Sequence, residues 1–120
     1  MERQNGEKRI GREDIVKFSI IVLMYNSSWL SVQLTLHSIL RQKIRDSIEI
    51  IIADDGSKNN WTHEIENLFI ENNYSKYIFS SATENVGTVK NIIRALEYTS
   101  GKYIKLIGAG DLLFDEYTLV

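Results

Sequence analysis

Short runs of β-branched and aliphatic residues recur along the chain, separated by longer stretches in which apolar and polar residues mix. A continuous apolar run is typical of a strand that is buried on both faces, as the strands of a parallel sheet are. We predict strands at 18–24, 48–53, 77–80 and 103–107.

The stretches between the predicted strands have amphipathic character, and each begins near a residue that can cap a helix. The first follows Ser27 or Ser28, the second follows Asn59 or Asn60, and the third begins at Thr88. The order β-α-β-α-β-α-β predicts an α/β fold with a doubly wound, mostly parallel sheet. The apolar positions predicted to face the sheet are Leu30, Val32, Leu34, Leu36, Ile39 and Leu40, then Trp61, Ile65, Leu68 and Phe69, then Val89, Ile92, Ile93 and Leu96.

Composition narrows the classes of site that the chain can carry. With 120 residues, 43% of them apolar, it can form one domain with a core. The formal net charge of −2 disfavours a nucleic-acid partner. The chain has no cysteine, which excludes disulfides and thiolate metal sites, and its 2 histidines disfavour a multi-histidine zinc site.

The N-terminal residues 1–17 are charged and polar, so we expect them to form a flexible lead before a domain at 18–120. No apolar run approaches the roughly 20 residues of a membrane span, and none has the form of an export signal. We therefore expect a cytoplasmic location, either free or peripheral to the inner face of the membrane.

Polar residues gather after the predicted strands, where open parallel sheets bind their ligands. Asn26 follows the first strand, Asp54 and Asp55 the second, Asn85 the third and Asp111 the fourth. Paired carboxylates can bind a divalent cation or accept hydrogen bonds from a base or ribose, and Asp-Gly is also a good turn sequence. Spacing alone leaves these possibilities open. The glycine-rich dinucleotide motif and the P-loop are both absent, so a nucleotide would be bound in another way.

Five segments in series identify a family resemblance. They are Val22-Leu-Met-Tyr-Asn26, Ser38-Ile-Leu-Arg-Gln42, Glu49-Ile-Ile-Ile-Ala-Asp-Asp-Gly-Ser57, Asn85-Val-Gly87 and Gly101-Lys-Tyr-Ile104. In this order and spacing, the chain resembles the N-terminal half of family 2 glycosyltransferases, which have the GT-A fold. The resemblance runs from Phe18 to about Phe114.

The resemblance implies an inverting enzyme that transfers a sugar from a nucleotide-diphosphate sugar, with a UDP-sugar favoured. The acceptor would be a glycan or a lipid-linked glycan, in cell-surface polysaccharide synthesis. In the family the catalytic base comes from a later half of the fold. We therefore expect the chain to be truncated before the acceptor-binding half, and we assign no catalytic residue within it.

The resemblance also implies roles for the residues after the first two strands. The stretch from Leu23 through Met24 to Asn26 would line a nucleoside pocket, with Tyr25 near the base. Asp55 would accept a hydrogen bond from the base. Asp54 would support the ribose side or fix the turn.

Three further residues would complete the donor site. Asn85 and Gly87 would shape the pocket wall. Lys90, in the first turn of the third helix, would face the diphosphate, although a lysine at such a position also fits a solvated helix face.

The loop after the fourth strand departs from the family pattern. The family's Asp-x-Asp, whose carboxylate holds a divalent Mn or Mg ion, aligns with Gly108-Ala-Gly110, so that only Asp111 remains. Asp111 could take over metal binding, lysine or N–H groups could balance the phosphate charge instead, or the copy could be inactive. The sequence leaves all three open.

Two other functions compete with this interpretation. A non-catalytic or degenerate nucleotide-binding module fits the missing Asp-x-Asp. A receiver-type signalling domain also pairs acids at strand ends, but its acids follow the first strand, where this chain has Tyr25-Asn26, and its accepting Asp follows the third, where this chain has Ser80-Ser81. The oligomeric state is left open.

Overall fold

The computed structural model describes residues 16–113 and 115. The predicted lead at 1–17 therefore lies almost wholly outside the described residues. Strands and helices alternate as the apolar pattern predicts, and a single 3-10 turn precedes the second strand. The elements are β1 (Phe18–Met24), α1 (Trp29–Leu40), the 3-10 turn (Arg45–Ser47), β2 (Ile48–Asp54), α2 (Thr62–Glu71), β3 (Tyr77–Ser81), α3 (Thr88–Leu96) and β4 (Tyr103–Gly108).

The four strands form one parallel sheet in the order β3-β2-β1-β4, which confirms the predicted fold class. Phe18 of β1 is paired with Ile48 on one side and with Tyr103 on the other. The chain first proceeds from β1 to β3 in one direction, and α3 then carries it back to the far side of β1. The switch point of the topology therefore lies between β1 and β4.

The two faces of the sheet carry different cores. On one face, strand residues such as Val22 and Ile52 pack with α1 and α2, where Phe69 is fully buried. On the other face, Ile21 and Ile51 pack with Ala95 of α3. Parallel crossovers are right-handed, so a connection that runs back across the sheet places its helix on the opposite face.

The helix starts follow the predictions only in part. Ser28 caps α1 as predicted, since its Oγ accepts the amide of Ser31 at 3.1 Å. At α2, Asn60 Oδ1 accepts the amide of Thr62 at 3.2 Å, but Trp61 occupies the cap position in a left-handed conformation. The predicted Thr88 cap is wrong, because Thr88 is already the first residue of α3 and Gly87 precedes it as the cap.

The predicted core face of α1 is partly wrong. Leu30 and Leu34 are exposed, whereas Val32 and Leu36 are fully buried. The buried side of α1 differs from the predicted one because the helix also buries polar residues, beginning at Thr35. These residues face the segment that follows β4.

The predicted core face of α3 is also partly wrong. Val89 is 70% exposed and Ile93 is 56% exposed. The helix instead approaches β1 and β2 through its smaller residues Asn91 and Ala95, which are buried. The side chains of Val89 and Ile93 are consequently not covered by any other described element.

Among the described helices, the longest is α1 with 12 residues. None of those helices combines the length and the apolar character that crossing a bilayer takes.

Candidate functional site

Two adjoining cavities open at the carboxyl ends of the strands, beside the switch point. The smaller has a volume of about 190 Å³ and the larger of about 470 Å³. Leu23, at the end of β1, lines both, so the two cavities lie next to each other, and we refer to them together as the cleft. Doubly wound sheets bind their ligands at this place. The smaller cavity is lined by Leu23, Met24, Tyr25, Asp55, Thr88 and Asn91.

The carboxylate of Asp54 is used within its own turn. Its Oδ2 accepts the amides of Gly56 and Ser57 at 3.1 and 2.9 Å, and its Oδ1 accepts the Ser57 hydroxyl at 2.6 Å. The side chain is buried. Of the two roles predicted for Asp54, the geometry matches that of fixing the turn, because its acceptor positions are directed at the turn itself.

Asp55 joins the turn after β2 to the loop before α3. Its Oδ1 accepts the amide of Val86 at 2.8 Å, and its Oδ2 accepts the amide of Gly87 at 3.0 Å and Nδ2 of Asn85 at 2.9 Å. A carboxylate has about four acceptor positions, so these three donors do not exhaust those of Asp55, which lines the smaller cavity. A buried carboxylate held in this way has a fixed orientation.

The three residues predicted after β1 diverge in position. Met24 is buried and Tyr25 is half-exposed, and both line the smaller cavity. Asn26 is instead tied to the neighbouring turn, since its amide donates to Ser57 Oγ at 2.7 Å and its Oδ1 accepts the Lys58 amide at 3.0 Å. Its left-handed φ of 51° suits this bend. Asn26 thus shapes the cleft without lining it.

The loop at 84–87 packs tightly against the turn after β2. A Cβ atom placed on Gly56 would lie 2.3 Å from the carbonyl carbon of Glu84. Asn85 and Gly87 line neither cavity, and both donate hydrogen bonds to Asp55, which lines the smaller one. Lys90 is exposed and lines neither cavity, so the structure does not bring it together with the other predicted residues.

Asp111 lies at the larger cavity, on a tight turn that follows β4. The turn is closed by the Asp111 amide, which donates to the carbonyl of Gly108 at 3.0 Å, and Gly110 within it has a φ of 105°. A positive φ at the third position of a turn favours glycine, which accounts for Gly110 where the family places an acid. A Cβ on Gly108 would approach Asp111 Oδ2 to 3.3 Å.

The donor set here fits a cation only in part. Within residues 16–113 and 115, no group of three or more acidic or histidine side chains could hold a metal ion. Asp111 offers one exposed carboxylate. Divalent cations at nucleotide sites are commonly held by one or two carboxylates together with substrate phosphates. Asp111 therefore fits an ion that is bound mainly by a diphosphate, and does not fit a site formed by the protein alone.

Arg94 and Asn91 support the cleft, and the sequence analysis missed both. Arg94 Nη2 donates to the carbonyls of Asp54 and Ser80 at 3.1 Å each, and Asn91 Nδ2 donates to the carbonyl of Ala53 at 3.0 Å. They join α3 to the ends of two strands. A lone arginine on an amphipathic helix predicts a solvated side chain, so no sequence signal separated Arg94 from the surface residues.

Two tryptophans that could have stacked on a ligand contact each other instead. The rings of Trp29 and Trp61 lie 5.7 Å apart, and Trp61 Nε1 donates to the carbonyl of Ser27 at 2.9 Å. They stabilise the bend after β1.

The chain matches the family model described as glycosyl transferase family 2 over residues 19–118. An uncharacterized glycosyltransferase of Mycoplasma genitalium is 27% identical over 99 residues, which are 81% of this chain and 33% of that protein. The chain therefore spans about a third of the length of this curated relative.

Solved structures of two glycosyltransferases share the fold. Staphylococcus aureus TarS in complex with UDP has a TM-score of 0.73 and 25% identity, over 87% of this chain and 30% of that one. The mannosyltransferase PcManGT of Pyrobaculum calidifontis, in complex with GDP-Man and Mn2+, has a TM-score of 0.71 and 21% identity, over 85% of this chain and 30% of that one. These proteins are of the GT-A type, which confirms the expected fold. The chain belongs to glycosyl transferase family 2.

Proposed function

We propose that this chain is the donor-binding part of a glycosyltransferase that takes a sugar from a nucleoside diphosphate, with UDP favoured. One observation carries the proposal: Asp55, buried and held by the 85–87 loop, lines one cavity, and Asp111 lines a neighbouring cavity that shares Leu23 with it. The carboxylate of Asp55 suits a base, and the carboxylate of Asp111 suits a cation that is bound to the diphosphate. TarS, which was solved with UDP, supports the choice of nucleotide.

The two cavities divide the ligand between them. The smaller, walled by Met24, Tyr25 and Asp55, takes the nucleoside, and the fixed carboxylate accepts an N–H of the base. The larger takes the diphosphate and the sugar, and both Asp111 and Lys105 line it. Lys105 was not among the predicted residues, and its cation can offset phosphate charge.

Sugar transfer requires that the nucleoside diphosphate leave with its charge balanced. A divalent Mn or Mg ion, when bound with the diphosphate, supplies that stabilisation. Asp111 would hold it. The attack on the sugar is proposed to invert the anomeric centre. The acceptor is proposed to be a glycan or lipid-linked glycan in polysaccharide synthesis at the cell surface. No described residue is assigned as the base that activates the acceptor hydroxyl.

A second candidate function is a nucleotide-binding module without transfer activity. The single carboxylate at the larger cavity favours it, since the acidic pair of the family is reduced to Asp111. Hydrolysis of a UDP-sugar by the chain, above the background rate and in the absence of an acceptor, would exclude the module, because a module without transfer activity does not transfer the sugar to water.

Titration calorimetry with UDP tests the proposal. The wild-type chain should bind UDP saturably, and Asp55→Asn should weaken binding by about tenfold or more, since a charged acceptor for the base is lost. Asp46→Asn, which removes an exposed acid from the 3-10 turn, is the matched control and should bind like the wild type. Equal affinities for UDP in Asp55→Asn and Asp46→Asn would contradict the proposed site.

A further inference from the structure

Three polar side chains, two on α1 and one just after its C-terminal end, are buried against the segment that carries Asp111. Thr35, Ser38 and Gln42 follow one another at helical spacing, and none is more than 2% exposed. The Gln42 side-chain amide donates to the carbonyl of Asp115 at 2.6 Å. A helix face directed at a core is ordinarily apolar, so a fully buried polar stripe needs partners.

Thr35 lies inside the turn that presents Asp111. Its Oγ1 accepts the amide of Gly110 at 2.8 Å and donates to the carbonyl of Asp111 at 2.6 Å. One hydroxyl thus satisfies a donor and an acceptor on either side of the Gly110–Asp111 peptide bond. The backbone of Asp111 is fixed by this contact, while its carboxylate stays exposed at the cavity.

Ser38 holds the same segment one turn of helix further on. Its Oγ accepts the amide of Leu113 at 3.1 Å and donates to the carbonyl of Thr35 at 2.7 Å. The two hydroxyls therefore bracket Asp111 in the chain, one at Gly110 and one at Leu113. Asp111 cannot shift along the cavity without breaking at least one of these contacts.

We propose that Thr35 and Ser38 are positioning residues that hold the Asp111 carboxylate where a diphosphate-bound cation would need it. The inference rests on the proposed function, because it concerns the same donor site. It assigns a role at the site to α1, an element that lines neither cavity. A carboxylate on a fixed turn loses less conformational freedom when it binds a cation than one on a mobile turn.

The alternative is that the two hydroxyls only satisfy buried backbone groups. Both ideas predict that removing a hydroxyl loosens the segment. Only the positioning role predicts that the increase in UDP affinity on adding Mn2+ becomes smaller while the UDP affinity without Mn2+ is unchanged. Two measurements on the same variants therefore separate the ideas: amide hydrogen exchange at Gly110 and Leu113, and UDP affinity with and without Mn2+.

Thr35→Val removes the hydroxyl and keeps the shape of the side chain. Exchange at Gly110 should accelerate about tenfold or more, and the gain in UDP affinity on adding Mn2+ should shrink at least about threefold. UDP affinity without metal should stay within about twofold of the wild type, because the smaller cavity is untouched. Thr35→Ser, which keeps the hydroxyl, should restore both. Ser38→Ala should accelerate exchange at Leu113 and lower the metal gain in the same way.

Thr99→Val is the matched control, since Thr99 is buried and donates to the carbonyl of Leu96 at 2.8 Å, in the connection from α3 to the start of β4. It should change neither the exchange rate at Gly110 nor the gain in UDP affinity on adding Mn2+.

Unchanged exchange at Gly110 in Thr35→Val would overturn the contact. Accelerated exchange with an undiminished gain in UDP affinity on adding Mn2+ would overturn the positioning role. A wild-type chain that binds no UDP would overturn the proposed function, and the positioning role with it. If UDP binds but Mn2+ adds nothing, the positioning role alone is overturned.

Discussion

The backbone amide of Gly87 donates a hydrogen bond to Oδ2 of Asp55 at 3.0 Å, although 32 residues separate the two in the chain. The contact joins the turn after β2 to the start of α3. It means that the acid predicted to contact a ligand is itself part of the scaffold. Ligand binding and local stability should consequently respond together when Asp55 is changed.

Asp55→Ala should lower the free energy of unfolding by about 2 kcal/mol, because three partly buried donors lose a charged acceptor. Asp111→Ala should change it by less than about 0.5 kcal/mol, since the Asp111 carboxylate is exposed. Urea denaturation followed by circular dichroism measures both. Equal losses in the two variants would contradict the scaffold role of Asp55.

Gly56→Ala should destabilise the chain more than Gly87→Ala does. Both glycines have a positive φ, of 80° and 97°, so each substitution costs about 1–3 kcal/mol of backbone strain. At Gly56 the new Cβ would also lie 2.3 Å from Glu84 backbone, whereas at Gly87 it would meet nothing within 4 Å. Thermal unfolding of the two variants tests the ranking, and a lower melting temperature for Gly87→Ala would reverse it.

Arg94→Met should cost about 2 kcal/mol, because two strand-end carbonyls and Ser80 Oγ lose their donor. Arg41→Met is the control, since Arg41 is exposed at the end of α1 and its substitution should cost less than about 0.5 kcal/mol. Denaturant midpoints of both variants measure the difference. Indistinguishable midpoints would show that the arginine contacts contribute no net stability.

Burial raises the pKa of the Tyr74 hydroxyl above its ordinary value of 10.0, and the nearby charge of Glu49 adds to the shift. The hydroxyl contacts the carbonyl of Ile48 at 2.6 Å. Because the folded-state pKa is the higher one, the stabilising effect is complete below pH 10 and is lost as the pH rises above it.

Stability of the wild-type chain should therefore fall above about pH 10, and Tyr74→Phe should show a shallower fall. At pH 7 the variant should be about 1 kcal/mol less stable, for the lost hydrogen bond. Tyr98→Phe, at an exposed site, is the control and should follow the wild-type curve. Parallel curves for Tyr74→Phe and the wild type, measured by urea unfolding between pH 7 and 11, would contradict the assignment.

The sheet was predictable mainly because its two central strands, β1 and β2, are buried on both faces. A run such as Ile48–Asp54, in which every residue is buried, leaves an apolar signal that no helix of this size imitates. Their carboxyl ends and the polar residues that follow them could be placed for the same reason. Asp55 and Asp111 accordingly lie at one edge of the sheet, as expected.

The helix faces were less predictable because periodicity states which residues share a side and not what covers that side. Val89 and Ile93 lie on the strongly apolar side of α3, yet the helix is anchored through Asn91, Ala95 and Arg94. Thr35 was missed for a related reason. A buried polar residue carries no pattern in the sequence until its backbone partners, here at Gly110 and Asp111, are known.

Mapping UDP onto the isotope-labelled chain by two-dimensional NMR tests the central claim most directly. The claim predicts that UDP shifts the amide signals of Tyr25, Val86 and Asn91 around the smaller cavity, and that adding Mg2+ extends the shifts to Gly110 and Asp111. The amides of α2, on the other face of the sheet, should not move. Saturable shifts confined to other surfaces, or no shifts at millimolar UDP, would contradict a donor site formed by these two cavities.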